Sequence, residues 1–68
     1  MSKAKISYDK KSDNLYFFIR DGHLDKYQEI VPGIAVELDK KGNLLGIEIL
    51  RASKVLGTVP KIKNQNLI

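Results

Sequence analysis

Apolar and polar residues alternate along most of this chain with the period of two that is typical of a half-buried β-strand. The alternation is clearest around Ile6 and Tyr8 and along residues 15–20, 34–39 and 44–50. Polar or glycine-containing stretches separate these segments at residues 9–14, 21–22 and 39–43. Such stretches are typical of turns, so the pattern predicts short strands joined by tight connections.

Two further segments have weaker patterns. Residues 24–31 alternate in part, and Pro32 follows them directly. Because proline cannot donate to a central ladder, this segment is predicted to be either an edge strand or an extended connection. Residues 51–56 fit one to two helical turns, and Gly57 is suitably placed as the residue after the helix.

The inward positions of these segments define an expected core: Ile6, Tyr8, Leu15, Phe17, Ile19, Ile34, Val36, Leu38, Leu45, Ile47 and Ile49, capped by Ala52, Val55 and Leu56. We therefore predict an α+β fold, an antiparallel three- to four-stranded β-meander followed by a short C-terminal helix. The 68 residues allow one domain, expected over residues 1–57, with a basic tail over 58–68.

Large apolar side chains remain on the face of the predicted sheet away from the core, at Tyr16, Phe18, Leu44 and Leu50. A single short helix cannot cover both faces, and a chain this short buries only ~60% of its unfolded surface. Neighbouring exposed apolar residues on one face indicate contact with another chain. These residues are therefore predicted to form a protein interface, in a homodimer or with another small protein. The alternative is that the C-terminal tail folds back over this face.

The net charge of +4 is concentrated at one end of the chain. Residues 1–48 contain all eight acidic residues and eight basic ones, so the excess comes from Arg51, Lys54, Lys61 and Lys63. A basic region beside the Tyr16 and Phe18 aromatic stripe is a known way to bind nucleic acid. Nucleic-acid binding is therefore the alternative function, and a solvated tail is the simpler interpretation.

Composition argues against most catalytic and metal-binding chemistry. The chain has no cysteine and one histidine, His23, in the segment Asp21–Asp25. A zinc site needs three well-held ligands, and a glycine-containing loop holds them poorly. Glu37 and Glu48 are expected on facing strands, where basic neighbours can neutralise them. We expect no enzyme activity, no cofactor and no metal.

The longest apolar run, residues 15–19, is too short to cross a bilayer, which takes ~20 residues. Residues 1–5 contain no apolar signal region, and the absence of cysteine fits a reducing compartment. A soluble, cytoplasmic protein is therefore expected.

Several short motifs together resemble a known family. They are Tyr8–Lys10, Asp13–Tyr16, Pro32–Asp39, Gly42–Leu50 and Ala52–Lys54. In this pattern the chain resembles the YuzE-like family of small uncharacterised proteins, a domain of unknown function catalogued as DUF 2283. The resemblance implies a meander followed by a short helix, and it implies no catalytic residues or cofactor. Some members are encoded beside small toxin-like proteins, which implies an antitoxin-like role, although the basic end of this chain argues against it.

Overall fold

The computed structural model describes residues 5–60. They form one five-stranded antiparallel sheet and one short helix. The elements are β1 (Lys5–Asp9), β2 (Asn14–Phe18), β3 (Lys26–Val31), β4 (Ile34–Leu38), β5 (Leu44–Ile49) and α1 (Ala52–Leu56). The α+β class, the antiparallel sheet and the short C-terminal helix are confirmed. The expected number of strands, three to four, was too low because the ambiguous segment before Pro32 is a complete edge strand, β3.

The strand order is β1-β2-β5-β4-β3, so the sheet is not a simple meander. It consists of a β1–β2 hairpin and a β3–β4–β5 meander, which join where β2 pairs with β5. Residues 19–25 carry the chain from β2 to the far edge of the sheet. The alternating pattern identified the strands, but it contains no information about which strand lies beside which. The predicted meander, in which each strand pairs with the next, was therefore wrong.

One face of the sheet carries the core. A row of residues crosses the sheet beneath α1, in the order Tyr8, Leu15, Ile49, Ile34 and Val31. Tyr8, Leu15 and Ile49 form a buried cluster with Ala52 of the helix. The next row is Ile6, Phe17, Ile47, Val36 and Gln28, and its apolar members are half-buried. The small side chain of Ala52 lets the helix approach the sheet closely.

Two predicted core residues of the helix are exposed instead. The side chains of Val55 and Leu56 are 41% and 47% exposed. The helix has only five residues, a little more than one turn, so only part of its circumference can contact the sheet. Ala52 is fully buried in that contact, whereas Val55 lies beside Gly33 in the β3–β4 turn and stays partly exposed.

The connection between β2 and β3 also covers part of the core face. Leu45 is buried, and a Cβ atom at Gly22 would lie only 2.7 Å from Leu45 Cδ2. Glycine therefore permits the close passage of this connection over β5. Without that passage, the end of the sheet away from α1 would be open to water.

Candidate interaction surfaces

The face opposite the helix is a mixed polar surface. Two rows of residues cross the strands on this face. The first row is Ser7, Tyr16, Glu48, Ala35 and Glu29. The second row is Lys5, Phe18, Gly46, Glu37 and Tyr27. The Tyr16 hydroxyl donates to Glu37 Oε1 at 2.7 Å, and the Tyr27 hydroxyl donates to Glu48 Oε1 at 2.7 Å. These bonds link β2 to β4 and β3 to β5 across the strand between them.

Both tyrosines of this face have raised pKa values. Partial burial, followed by the hydrogen bond to Glu37, raises the pKa of Tyr16 to about 12. For Tyr27 the hydrogen bond to Glu48 is the main cause of the raised pKa. The neutral phenols are therefore held as donors to the two carboxylates.

Gly46 makes room for the first of these pairs. A Cβ atom at Gly46 would collide with the Tyr16 hydroxyl and would lie 2.9 Å from Glu37 Oε1. Because the glycine has no side chain, the phenol and the carboxylate can meet directly above β5. The sequence pattern predicts a strand here, but it does not indicate why a strand interior should contain glycine.

The four residues of the predicted protein interface are all half-buried. Phe18 lies beneath the Lys5 ammonium group, whose Nζ is 5.7 Å from the ring centroid. Leu44 begins β5 and Leu50 follows its last residue, so Gly46 and Glu48 separate them on this face. Tyr16 is engaged with Glu37, and the four side chains do not form one continuous apolar patch. An interface through Tyr16, Phe18, Leu44 and Leu50 stays a prediction.

The most exposed part of the sheet is the edge strand β3. All six of its residues are exposed, and Tyr27, Ile30 and Val31 are 50%, 56% and 48% exposed. The strand pairs on one side with β4 and has a bulge between Glu29 and Val31. Pro32 indicates an edge strand in the sequence, but it does not identify these residues as an exposed surface.

The directions of the β3 backbone groups follow from the ladder. The Leu50 amide donates to the Gly33 carbonyl, which makes these two residues a hydrogen-bonded pair. Such pairs alternate along antiparallel strands, so the odd-numbered residues of β4 bond to β5 and the even-numbered ones bond to β3. On β3, Lys26 lies opposite Leu38 and Gln28 lies opposite Val36, so these two β3 residues bond to β4. Tyr27 and Glu29 therefore direct their N–H and C=O groups away from the sheet.

Asp13 joins the β1–β2 turn to the helix, and sequence analysis did not identify this role. Its carboxylate accepts hydrogen bonds from the Tyr8 hydroxyl at 2.5 Å and from the Ser53 hydroxyl at 2.6 Å. The Ser53 amide also donates to it, and the Ala52 amide donates to its carbonyl. The bond from Ser53, followed by the one from Tyr8, lowers the pKa of Asp13. The available signal in the sequence was an aspartate in a polar turn, a residue type that tolerates the left-handed conformation found here, with φ 60°.

The predicted nucleic-acid-binding residues are only partly within the described chain. Arg51 has a left-handed conformation with φ 50° immediately before the helix, and Lys54 lies in α1. Both are exposed. Lys61 and Lys63 lie outside the described residues. A nucleic-acid surface formed by these four residues stays a prediction.

An open groove of about 510 Å³ lies between the connection and the β4–β5 loop, lined by Gly22, His23, Leu24, Asp25, Asp39, Lys40, Lys41 and Asn43. Asp39 is already engaged by the Lys41 and Asn43 amides and by the Asn43 side chain.

Within residues 5–60, no group of three or more histidine, aspartate or glutamate residues is arranged to hold a metal ion. The helix found in this same range is too short to span a membrane.

Comparison with known proteins places most of these features in a recognised sequence family. A family model described as "Protein of unknown function (DUF2283)" matches residues 5–53. The uncharacterised protein MJ0789 of Methanocaldococcus jannaschii is 36% identical over 66 residues. The aligned region covers 97% of this chain but 56% of that relative. No solved structure matches the chain. The matched range contains all five strands and both residues of the Asp13–Ser53 contact.

Proposed function

We propose that this chain, which belongs to the DUF2283 family of proteins of unknown function, is a non-enzymatic protein-interaction module. In this proposal it binds an extended segment of a partner polypeptide along the open edge of β3. The observation that carries the proposal is the exposure of all six β3 residues, together with the outward direction of the backbone groups of Tyr27 and Glu29.

Strand addition fits these features physically. An unpaired edge presents a row of donors and acceptors that an extended peptide can match, and this recurs as a mode of protein recognition. The half-exposed side chains of Tyr27, Ile30 and Val31 add apolar surface that a partner would cover. Burial of such surface supplies about 25 cal/mol per Å². Main-chain bonds and apolar contacts would then act together.

The ends of β3 limit the length of the segment that it can accept. Pro32 follows the strand, and the bulge between Glu29 and Val31 interrupts its ladder. Proline, bulges and lysine are devices that restrict unlimited edge pairing. Lys26 provides the third device at the start of the strand. The site is therefore suited to one short partner strand rather than to an extended fibre.

The chemistry of the neighbouring face favours a particular kind of partner. Glu29, Glu37 and Glu48 lie on the same face of the sheet as the Tyr27 side chain. A partner strand that presents lysine, arginine or hydroxyl groups on this face would be matched in charge and hydrogen bonding. On the opposite face, Gln28 ends the row of Val36 and Ile47 and presents an amide side chain to a partner residue.

The hydrogen bonding of the Ser53 hydroxyl supports an interaction role rather than a catalytic one. The Ser53 hydroxyl donates to the Asp13 carboxylate, which holds the helix to the β1–β2 turn. Nucleophilic serine needs a neighbouring base such as imidazole. The single histidine of the chain, His23, lies in the exposed connection between β2 and β3.

Site-specific photo-crosslinking tests this function and captures a partner of any identity. A photo-reactive residue would replace Ile30 on β3 or, as a control, the exposed Ser7 on β1, in cells that produce the protein. We expect defined crosslinked products from position 30 and not from position 7. Proline at Tyr27 removes an outward N–H group, whereas Tyr27→Val removes the ring and keeps the amide. Tyr27→Pro should abolish the products and Tyr27→Val should preserve them in part.

The opposite pattern would reject strand addition. If positions 7 and 30 give the same products, or if Tyr27→Pro leaves the products unchanged, the backbone edge of β3 does not mediate binding. Circular dichroism of the two Tyr27 variants checks that the sheet remains folded.

A further inference from the structure

We propose that the partner strand is β3 of a second copy of this chain, paired antiparallel about a two-fold axis that passes beside Gln28. This inference rests on the proposed function, since it requires that the β3 edge accepts a strand. It adds the identity of the partner and the register of the pairing. The result would be one continuous sheet, with the helices of both copies on the same side.

Symmetry limits the possible registers. An antiparallel pair of identical edges is related by a two-fold axis normal to the sheet, and the same surface is used by both copies. Two residues that lie opposite each other across the contact must then have their side chains on the same face of the sheet. On the regular part of β3 before the bulge, this condition allows Lys26, Tyr27, Gln28 or Glu29 at the axis. A Lys26 axis would place the two Lys26 ammonium groups opposite each other, which leaves the other three.

Charge selects one register from these three. With Glu29 at the axis, each Glu29 faces its own copy. With Tyr27 at the axis, each Glu29 faces Asp25 of the other copy. Like charges directly opposite each other destabilise a strand pair. With Gln28 at the axis, each Glu29 faces the uncharged Tyr27 of the other copy on the same face of the sheet. This register places no like charges directly opposite each other.

The backbone groups fit the same register. Tyr27 and Glu29 point their N–H and C=O groups outward, so a Tyr27–Glu29 pair between copies can exchange both hydrogen bonds. Gln28 directs its own backbone groups towards β4. It would therefore face its copy as a non-hydrogen-bonded pair, in which opposite side chains come closest, with Cα atoms ~4.5 Å apart. Backbone direction is thus compatible with Gln28 at the axis, and charge selects this register over those centred on Tyr27 or Glu29.

The contact is small. Specific stable interfaces bury about 1,200–2,000 Å² in total, and weaker encounters lie below this range. A six-residue edge alone falls towards the lower limit, so the dimer should depend on concentration. Pairing of β3 with β3 also uses up the same edge on both copies, so this contact is closed and stops at two chains.

A disulfide test reports both the partner and the register. The chain has no cysteine, so any disulfide formed by a single-cysteine variant joins two copies. Gln28→Cys would place two thiols opposite each other, and Ser7→Cys supplies a control at another exposed position, on β1. Under mild oxidation of the purified full chain, we expect Gln28→Cys to form dimer at least about tenfold faster than Ser7→Cys, because association raises the effective thiol concentration. Adding Tyr27→Pro should reduce the rate to that of the control.

Each alternative result has a definite meaning. Equal rates for Gln28→Cys and Ser7→Cys, with a monomeric mass for the unmodified chain in sedimentation equilibrium at all concentrations, would overturn the second-copy inference. Faster dimer formation by Tyr27→Cys or Glu29→Cys would overturn the register. If crosslinks from Ile30 to a different protein persist in cells, the inference fails while the proposed function stands. If neither fast disulfide formation by Gln28→Cys nor crosslinks from Ile30 are observed, both the second-copy inference and the proposed function are rejected.

Discussion

The two edges of the sheet differ in how their strands are held. At the β1 edge, Tyr8 is 5% exposed and its hydroxyl is bonded to Asp13, which also binds Ser53 at the start of the helix. At the β3 edge, every residue is exposed, and the side-chain bond from Tyr27 reaches a surface carboxylate, Glu48. Among residues 5–60, each of these strands pairs on one side only. The comparison shows that exposure of an edge depends on the side chains around it, and β3 is the edge left open.

The largest contrast is expected in the free energy of unfolding. Leu15→Ala removes a side chain that is 4% exposed in the cluster beside β1. It should destabilise the fold by about 2–5 kcal/mol, since it loses transfer energy and leaves a cavity. Val31→Ala on β3 removes a side chain that is 48% exposed and should cost within about 0.5 kcal/mol. Urea denaturation of both variants measures the difference, and equal losses would contradict the distinction between the buried cluster next to β1 and the exposed β3 edge.

A smaller effect is expected at the Asp13 contact, and it should depend on pH. The folded-state pKa of Asp13 lies below its ordinary value of 3.8. Its contribution to stability is therefore complete above the unfolded pKa and is lost as the pH falls through the folded pKa. Asp13→Asn should lower the melting temperature at neutral pH and flatten the acid dependence below about pH 4. Melting curves of this variant and the unmodified chain measure both effects.

Lys54→Gln provides a matched control for that experiment. Among the causes that lower the pKa of Asp13, Lys54 is the smallest, and it acts through its charge and not through a hydrogen bond. Its replacement should leave most of the acid dependence in place. If Asp13→Asn keeps the same acid dependence as the unmodified chain, the carboxylate is not responsible for it.

The smallest effect concerns the tyrosines of the polar face. The pKa of Tyr16 is about 12, against an ordinary value of 10, so the neutral phenol favours the folded state. That contribution is complete below pH 10 and is lost as the pH rises through about 12. Glu48→Gln should return the pKa of Tyr27 towards 10, because the hydrogen bond to Glu48 is its main cause. It should lower the pKa of Tyr16 far less, because the charge of Glu48 is the last of the causes there. Ultraviolet titration of the phenols, with Tyr16→Phe to assign the signals, measures both; parallel shifts of the two tyrosines would contradict this separation.

Sequence alternation was sufficient for the strands and for the choice of the buried face. It placed Tyr8, Leu15 and Ile49 correctly in the core, because in a one-layer sheet a period of two separates the two faces directly. The same reasoning failed for Val55 and Leu56, because helical periodicity cannot be defined over five residues. Apolar character alone assigned them to a core that the short helix does not reach.

The candidate surfaces were harder to predict, because they depend on strand order. The Tyr16–Glu37 and Tyr27–Glu48 bonds each join residues 21 positions apart in sequence. They form only when β5 lies between β2 and β4 and when Gly46 leaves space. The sequence located Glu37 and Glu48 on one face but assigned basic neighbours as their partners. Likewise, the contact between Asp13 and Ser53 spans 40 positions and has no local pattern.

The crossing connection also has a consequence for the order of folding events. Within the β1–β2 hairpin and the β3–β4–β5 meander, each strand pairs only with the strand before or after it in sequence, and such local units form quickly. Pairing Leu15 with Ile49 instead closes a long stretch of chain, whose entropy must be lost before the new contacts compensate. The slow step should therefore be the docking of two preformed halves along the β2–β5 seam. For the same reason, a chain cut within residues 19–25 should reassemble from its two fragments.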